Sequence, residues 1–61
     1  MKQYCETIKT DDGFTYELWR RDTTMSGHLY YAADRFTKEP LLGGCVSSDP
    51  EEITTAMNLP R

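Results

Sequence analysis

Residues 4–21 have the sequence YCETIKT-DDG-FTYELWRR. Residues 4–10 and 14–21 are both rich in β-branched and aromatic side chains, which favour strands. The intervening Asp11-Asp12-Gly13 contains the glycine that is typical of a hairpin connection. These residues therefore predict an antiparallel hairpin, and in a chain of 61 residues a hairpin of this length determines most of the architecture.

The register of this hairpin follows from the faces on which its side chains lie. With a three-residue loop, Ile8 pairs with Tyr16, and most apolar side chains of the two strands share one face. A two-residue loop would turn Ile8 to the opposite face, because strand side chains alternate with period two. We therefore predict a three-residue loop with Gly13 in the left-handed conformation. In this register Tyr4 lies on the apolar face, and Cys5 lies opposite Trp19 on the other.

The rest of the chain predicts two further strands and one helix. Residues 28–36 form a third strand, and residues 41–47 form a fourth that Gly43 and Gly44 weaken. Asp49 is a typical N-cap with Pro50 at the first helical position, and the helix ends at Asn58 or Leu59. The predicted fold is α+β: one small domain over residues 1–61, with an antiparallel sheet of three to four strands and one short C-terminal helix covering one sheet face.

The size and net charge of the chain restrict the range of possible functions. The net charge is −3, which disfavours nonspecific binding to nucleic acid. No apolar run approaches the roughly 20 residues that cross a bilayer, and the first residues lack the apolar stretch of a secretory signal, so we expect a cytoplasmic protein that does not insert into membranes. A domain this small buries little apolar surface by itself, and we therefore also expect a homodimer.

The residue types that carry catalysis are present without the motifs that activate them. His28 is the only histidine, and no nucleophile with an orienting acid stands at a nearby spacing. Cys5 and Cys45 are far apart, without a Cys-x-x-Cys pair, so we expect reduced, buried thiols and no zinc site. We predict no catalytic residue, no cofactor and no metal, and hence a protein that is not an enzyme.

The third predicted strand is apolar on both faces. If Leu29, Tyr31 and Ala33 lie beneath the helix, Tyr30 and Phe36 lie on the same side as Trp19 and form an aromatic patch rimmed by arginine. Such patches are typical of protein interfaces. The opposite orientation of this strand stays open at this point. The predicted partner-binding residues are Trp19, Arg21, Tyr30, Arg35 and Phe36.

Residues 44–52, GCVSSDPEE, resemble the strand-to-helix corner of HicB-type antitoxin domains, which place Gly-Cys and then an acidic helix start after a β-meander. The resemblance covers about a sixth of the chain. Here Pro60 ends the helix early, and the Glu-Ala continuation and DNA-binding tail of that family do not follow. The resemblance implies a βββα domain that binds a protein partner.

These observations favour a small non-enzymatic adaptor or inhibitor that docks onto a larger protein through an aromatic sheet face. Its size would suit an inhibitor encoded by a phage or mobile element. The alternative is a nucleic-acid-binding or antitoxin-like regulatory module that uses an arginine and aromatic patch of Arg20, Arg21, Arg35 and Trp19.

Overall fold

The computed structural model describes residues 2–25 and 27–59. Three antiparallel strands, β1 (Lys2–Lys9), β2 (Thr15–Thr23) and β3 (Gly27–Ala33), form a sheet in the order β1-β2-β3. A 3-10 turn over Leu42–Gly44 and the helix α1 (Pro50–Asn58) complete the fold. The predicted α+β class, with a hairpin first and a short helix last, is confirmed.

The hairpin loop has the three residues that the side-chain faces require. The Thr10 amide donates to the Phe14 carbonyl at 2.7 Å, and the Gly13 amide donates to the Thr10 carbonyl at 3.0 Å. Gly13 has φ +95°, a conformation that L-residues other than glycine adopt rarely. Ile8 pairs with Tyr16, as predicted.

A β-bulge at Cys5 changes the register in the first half of β1. Glu6 pairs with Leu18, whereas Tyr4 pairs with Trp19, so Cys5 has no partner residue. The prediction that Cys5 faces Trp19 is therefore wrong. Because the bulge inserts one residue, it also moves Tyr4 from the predicted apolar face to the face of Trp19.

The orientation of β3 is the reverse of the one that placed Tyr30 beside Trp19. Thr23 pairs with Gly27, and the same register pairs Trp19 with Tyr31 and Leu18 with Ala32. Tyr30 therefore lies on the helix side of the sheet, where it packs against the core cluster, and Tyr31 lies on the side of Trp19. The sequence left the length of the β2–β3 connection undefined, and this length decides which face each residue occupies.

No continuous strand forms over residues 41–47 in the described part of the chain. Two isolated bridges, Ala33 with Pro40 and Tyr30 with Ser47, hold this segment along the outer edge of β3. The 3-10 turn lies between the two bridging residues Pro40 and Ser47 and prevents a continuous ladder. Its residue Gly43 has φ +66°. The third strand ends at Ala33 because the Asp34 carbonyl accepts a hydrogen bond from the Lys38 amide in a tight turn.

The helix covers one face of the sheet and completes the core. Its buried residues Ile53 and Met57 pack against Tyr16, Leu18 and Ala32. The predicted N-cap is confirmed, since the Asp49 carboxylate accepts from the Glu51 amide at 3.0 Å. At the other end of the helix, the Asn58 side-chain carbonyl accepts from the Asp11 amide at 2.9 Å, which ties α1 to the hairpin loop.

Candidate functional site

The sheet face opposite α1 is here called the outer face. It carries many of the charged and aromatic side chains that are not part of the core. The strand registers place eight large or charged side chains on it: Lys2, Tyr4, Lys9, Glu17, Trp19, Arg21, Leu29 and Tyr31. No helix of the described chain covers this face, because α1 packs on the other. The outer face is therefore the sheet surface that α1 leaves accessible to a binding partner.

Tyr4 and Trp19 form an aromatic pair at the centre of the outer face. Their ring centroids are 5.9 Å apart and the rings cross at 78°, an edge-to-face arrangement. The Tyr4 hydroxyl lies 2.7 Å from Thr7 Oγ1, and Trp19 Nε1 donates to Glu17 Oε1 at 3.1 Å. The polar atom of each ring is thus satisfied within the protein, while Tyr4 keeps 47% of its surface exposed.

Glu17 connects this aromatic pair to the loop of residues 34–39. Lys38 Nζ donates to both carboxylate oxygens of Glu17 at 2.9 Å and to the Arg35 carbonyl at the same distance. The hydrogen bonds from Lys38 and then from Trp19 lower the pKa of Glu17. The carboxylate therefore stays ionised under neutral conditions and holds the loop beside the sheet.

The loop itself is ordered by Asp34 and displays an aromatic ring. Asp34 Oδ1 accepts from the amides of Phe36 at 2.8 Å and Thr37 at 3.0 Å, and these two bonds lower the pKa of Asp34. Phe36 is 78% exposed, with the Arg35 guanidinium 4.6 Å from its ring centroid. A large apolar side chain is thus held in water by a loop with several internal hydrogen bonds.

A small cleft of about 60 Å³ lies beside the aromatic pair, lined by Lys2, Arg21, Tyr31, Pro40, Gly44 and Val46. Tyr31 is 8% exposed, and burial raises its pKa while the nearby Arg21 opposes that shift. Within the described residues no carboxylate pairs with Lys2 or Arg21. The cleft therefore carries two cations for which residues 2–25 and 27–59 supply no counterion.

Arg20, the neighbour of Arg21 in sequence, belongs to a different cluster on the helix side of the sheet. Its Nε lies 3.2 Å from Asp22 Oδ1, and its terminal nitrogen donates to Gln3 Oε1 at 2.6 Å. His28 Nδ1 lies 2.6 Å from the same Asp22 oxygen, and this hydrogen bond lowers the pKa of Asp22. The two arginines point to opposite faces, so they do not form one basic patch.

Four of the five predicted partner-binding residues lie on the outer face or on the loop joined to it. Trp19 and Arg21 lie on the outer face, and Arg35 and Phe36 lie on the loop that Lys38 and Glu17 attach to it. Tyr30 lies on the other face, half-buried against the core, for the reason of register given above.

Sequence reasoning missed Tyr4, Lys2 and Tyr31. Tyr4 and Lys2 lie on the outer face because of the bulge at Cys5, and no residue pattern in the sequence predicts that bulge. The Tyr30-Tyr31 pair showed only that one of two tyrosines would face outward.

Both thiols differ from expectation, since Cys5 and Cys45 are exposed as well as free. Cys5 is exposed because it is the unpaired residue of an edge-strand bulge. Within residues 2–25 and 27–59, no group of three histidine, cysteine or acidic side chains is arranged to hold a metal ion. The described part of the chain also contains no helix with the length and apolar character needed to cross a membrane.

No family model matches this sequence, and neither a curated protein nor a solved structure is significantly similar to it. The likeness of residues 44–52 to HicB-type domains therefore stays a likeness over one short stretch. Any function has to be argued from the outer face itself.

Proposed function

We propose that this chain is a small non-enzymatic binding protein, of the adaptor or inhibitor type, that docks onto a larger protein through the outer face and the adjoining Arg35–Phe36 loop. The observation that carries the proposal is the edge-to-face pair of the exposed Tyr4 and the half-buried Trp19, whose polar atoms are already bonded internally. Rings satisfied in this way contribute apolar contact area without leaving a buried polar atom unpaired in a complex.

The charge of the surface indicates the chemistry of the partner. Lys2 and Arg21 lie beside the aromatic pair without a carboxylate from the described residues. Aromatic side chains together with arginine are the residues most enriched at the centres of protein interfaces. We therefore propose a partner surface that is acidic opposite Arg21 and offers an apolar pocket to Phe36.

The order of the loop adds to this case. An exposed apolar side chain on a mobile loop loses conformational entropy when it binds, whereas a side chain on a preorganised loop loses less. Asp34 and Lys38 fix the loop backbone on both sides of Phe36. Phe36 is therefore suited to act as an anchor in a partner pocket.

The nucleic-acid-binding or antitoxin-like alternative rests on Trp19 beside Arg21 and on Phe36 beside Arg35, since bases stack on aromatic rings next to arginine. The net charge of −3 and the neutralisation of Arg20 by Asp22 weigh against it. A titration with a ten-nucleotide oligothymidylate at low and high salt separates the two functions. Binding that is strong at low salt and falls steeply with added salt would favour the alternative.

A homodimer is a further proposal, supported by the free edge of β1. Among the described residues this strand has a neighbour on one side only, and unpaired edge groups can bond to a second chain. Sedimentation under reducing conditions tests this without interference from a Cys5 cross-link. Mass that rises with micromolar concentration supports the dimer, and a constant monomer mass refutes it.

Affinity capture with matched variants tests the docking function. The wild type, Trp19→Ala, Phe36→Ala and the control Thr55→Ala are used as baits, because Thr55 is exposed on α1, away from the outer face. We expect at least one protein that the wild type and Thr55→Ala retain equally and that each aromatic variant retains about tenfold less. Folded baits that all capture the same proteins in the same amounts would overturn the proposal.

A further inference from the structure

We infer that the cleft between Lys2, Arg21 and Tyr31 is a receptor for a single carboxylate, supplied by an aspartate or glutamate side chain of the partner protein. This inference rests on the proposed docking function and makes it more specific. It assigns a recognition role to two residues, Lys2 and Tyr31, that the aromatic surface alone does not require.

The two cations of the cleft are neighbours across the sheet. Lys2 pairs directly with Arg21 between β1 and β2, and like charges in directly opposed positions destabilise a sheet. No described carboxylate lies between them to offset this repulsion. A carboxylate that enters the cleft would accept hydrogen bonds from both side chains, so its binding would relieve an unfavourable contact as well as form favourable ones.

The walls of the cleft suit the stem of an acidic side chain. Pro40 and Val46 provide apolar surface, and the buried Tyr31 adds a further wall. A Cβ added to Gly44 would meet no atom within 4 Å, so this side of the cleft is open to an entering group. The methylene groups of a glutamate can therefore contact apolar walls while its carboxylate reaches the two cations.

The surroundings of the cleft favour a carboxylate over the phosphates of a nucleic acid. A nucleic-acid strand presents a charge at every nucleotide and needs a continued track of cations. Lys38 is already paired with Glu17, Arg20 points to the other face of the sheet, and Lys9 and Arg35 do not line the cleft. The cleft is thus a small positive site, lined by two cations, on a protein whose net charge is −3.

A titration with defined probes tests the cleft directly. Amide resonances of the full chain are followed on addition of a hexaglutamate peptide, a hexaglutamine peptide and inorganic phosphate. We expect hexaglutamate, and not hexaglutamine, to shift the amides of Arg21, Gly44 and Val46. Arg21→Gln should weaken this binding by about tenfold, and Lys9→Gln, which removes one charge from the same strand as Lys2, by less than about twofold. Lys2→Gln provides a second variant at the strand end, should Arg21→Gln disturb the fold.

Three results of this titration would change the assignment of the cleft. Absence of shifts at the cleft, or equal weakening by Lys9→Gln, would overturn the carboxylate assignment. Tighter binding of phosphate than of hexaglutamate would reassign the cleft to a phosphate ligand.

A protein captured in a Trp19-dependent way and retained equally by Arg21→Gln would refute the cleft and leave the docking function standing. Hexaglutamate bound at the cleft, with no Trp19-dependent protein, would refute docking and leave the cleft standing as an acidic-peptide site.

Discussion

Trp19 packs against Tyr4 because Cys5 is the extra residue of a β-bulge. In an unbulged strand Cys5 would face Trp19, and Tyr4 would point to the helix side of the sheet. We expect deletion of Cys5 to remove the bulge and to leave Tyr4 opposite Trp19 in a regular ladder. The free energy of unfolding should then change by less than about 1 kcal/mol, since the pairs on either side are kept.

Nuclear Overhauser contacts between the Tyr4 ring and the Trp19 indole check this deletion, with Cys5→Ala as the control that keeps the bulge. Both variants should retain the contacts. Their loss on deletion alone would show that the strand re-registers and that the bulge does not lie at Cys5.

Gly13 is the hairpin position whose backbone conformation most restricts the residue type. Its φ of +95° lies in a region that β-branched residues avoid. Gly13→Val should therefore lower the free energy of unfolding by about 1 kcal/mol or more. Gly13→Asn should cost less, because asparagine tolerates left-handed conformations better. Urea denaturation measures both variants, and equal midpoints for valine and asparagine would contradict the assigned loop.

Tyr30 and Phe36 should respond oppositely to truncation. Tyr30 packs against the core cluster, so Tyr30→Ala should lower the free energy of unfolding by about 1–2 kcal/mol. Phe36 is exposed, so Phe36→Ala should change it by less than about 0.5 kcal/mol. Thermal melts followed by circular dichroism give both values. A larger loss for Phe36 than for Tyr30 would mean that the loop ring, and not the sheet ring, belongs to the core.

The sequence predicted those parts of the fold that local chemistry specifies. The loop of Asp11-Asp12-Gly13 and the N-cap at Asp49 were both placed correctly, because each depends on a few adjacent residues. The orientation of β3 was wrong, because Tyr30 and Tyr31 are equally apolar at adjacent positions. Their faces are set by the pairing of Thr23 with Gly27, which no composition rule specifies.

The candidate site shows the same division. Trp19 and Arg21 lie on the sheet face predicted for them, and Arg35 and Phe36 lie on the loop that Lys38 and Glu17 attach to the sheet. Tyr4 was assigned to the wrong face because a bulge on an edge strand has no sequence signature comparable to that of a turn. The Lys2–Arg21 cleft could not be foreseen, because Val46 reaches it from the segment expected to form the fourth strand and Pro40 from the residue just before that segment.

The ion pair of Glu17 and Lys38 gives the protein a pH-dependent component of stability. The pKa of Glu17 in the folded chain lies below its ordinary value of 4.5, because Lys38 and Trp19 bond to the ionised form. A carboxyl whose folded-state pKa is lowered stabilises the fold above its unfolded pKa, and this contribution disappears as the pH falls through the folded value. Glu17→Gln should therefore be less stable than the wild type at about pH 7, and the difference should shrink below about pH 4.5.

Urea midpoints measured from neutral to acid pH test this dependence, with Glu39→Gln as the control. The side chain of Glu39 makes none of the hydrogen bonds or ion pairs found among the described residues, so its removal should lower the midpoint little at any pH. Lys38→Met should reproduce part of the loss of Glu17→Gln, and the double variant should lose less than the sum of the two, because the residues interact directly. Additive losses, or a Glu17→Gln difference that persists unchanged at acid pH, would show that the carboxylate does not hold the loop to the sheet.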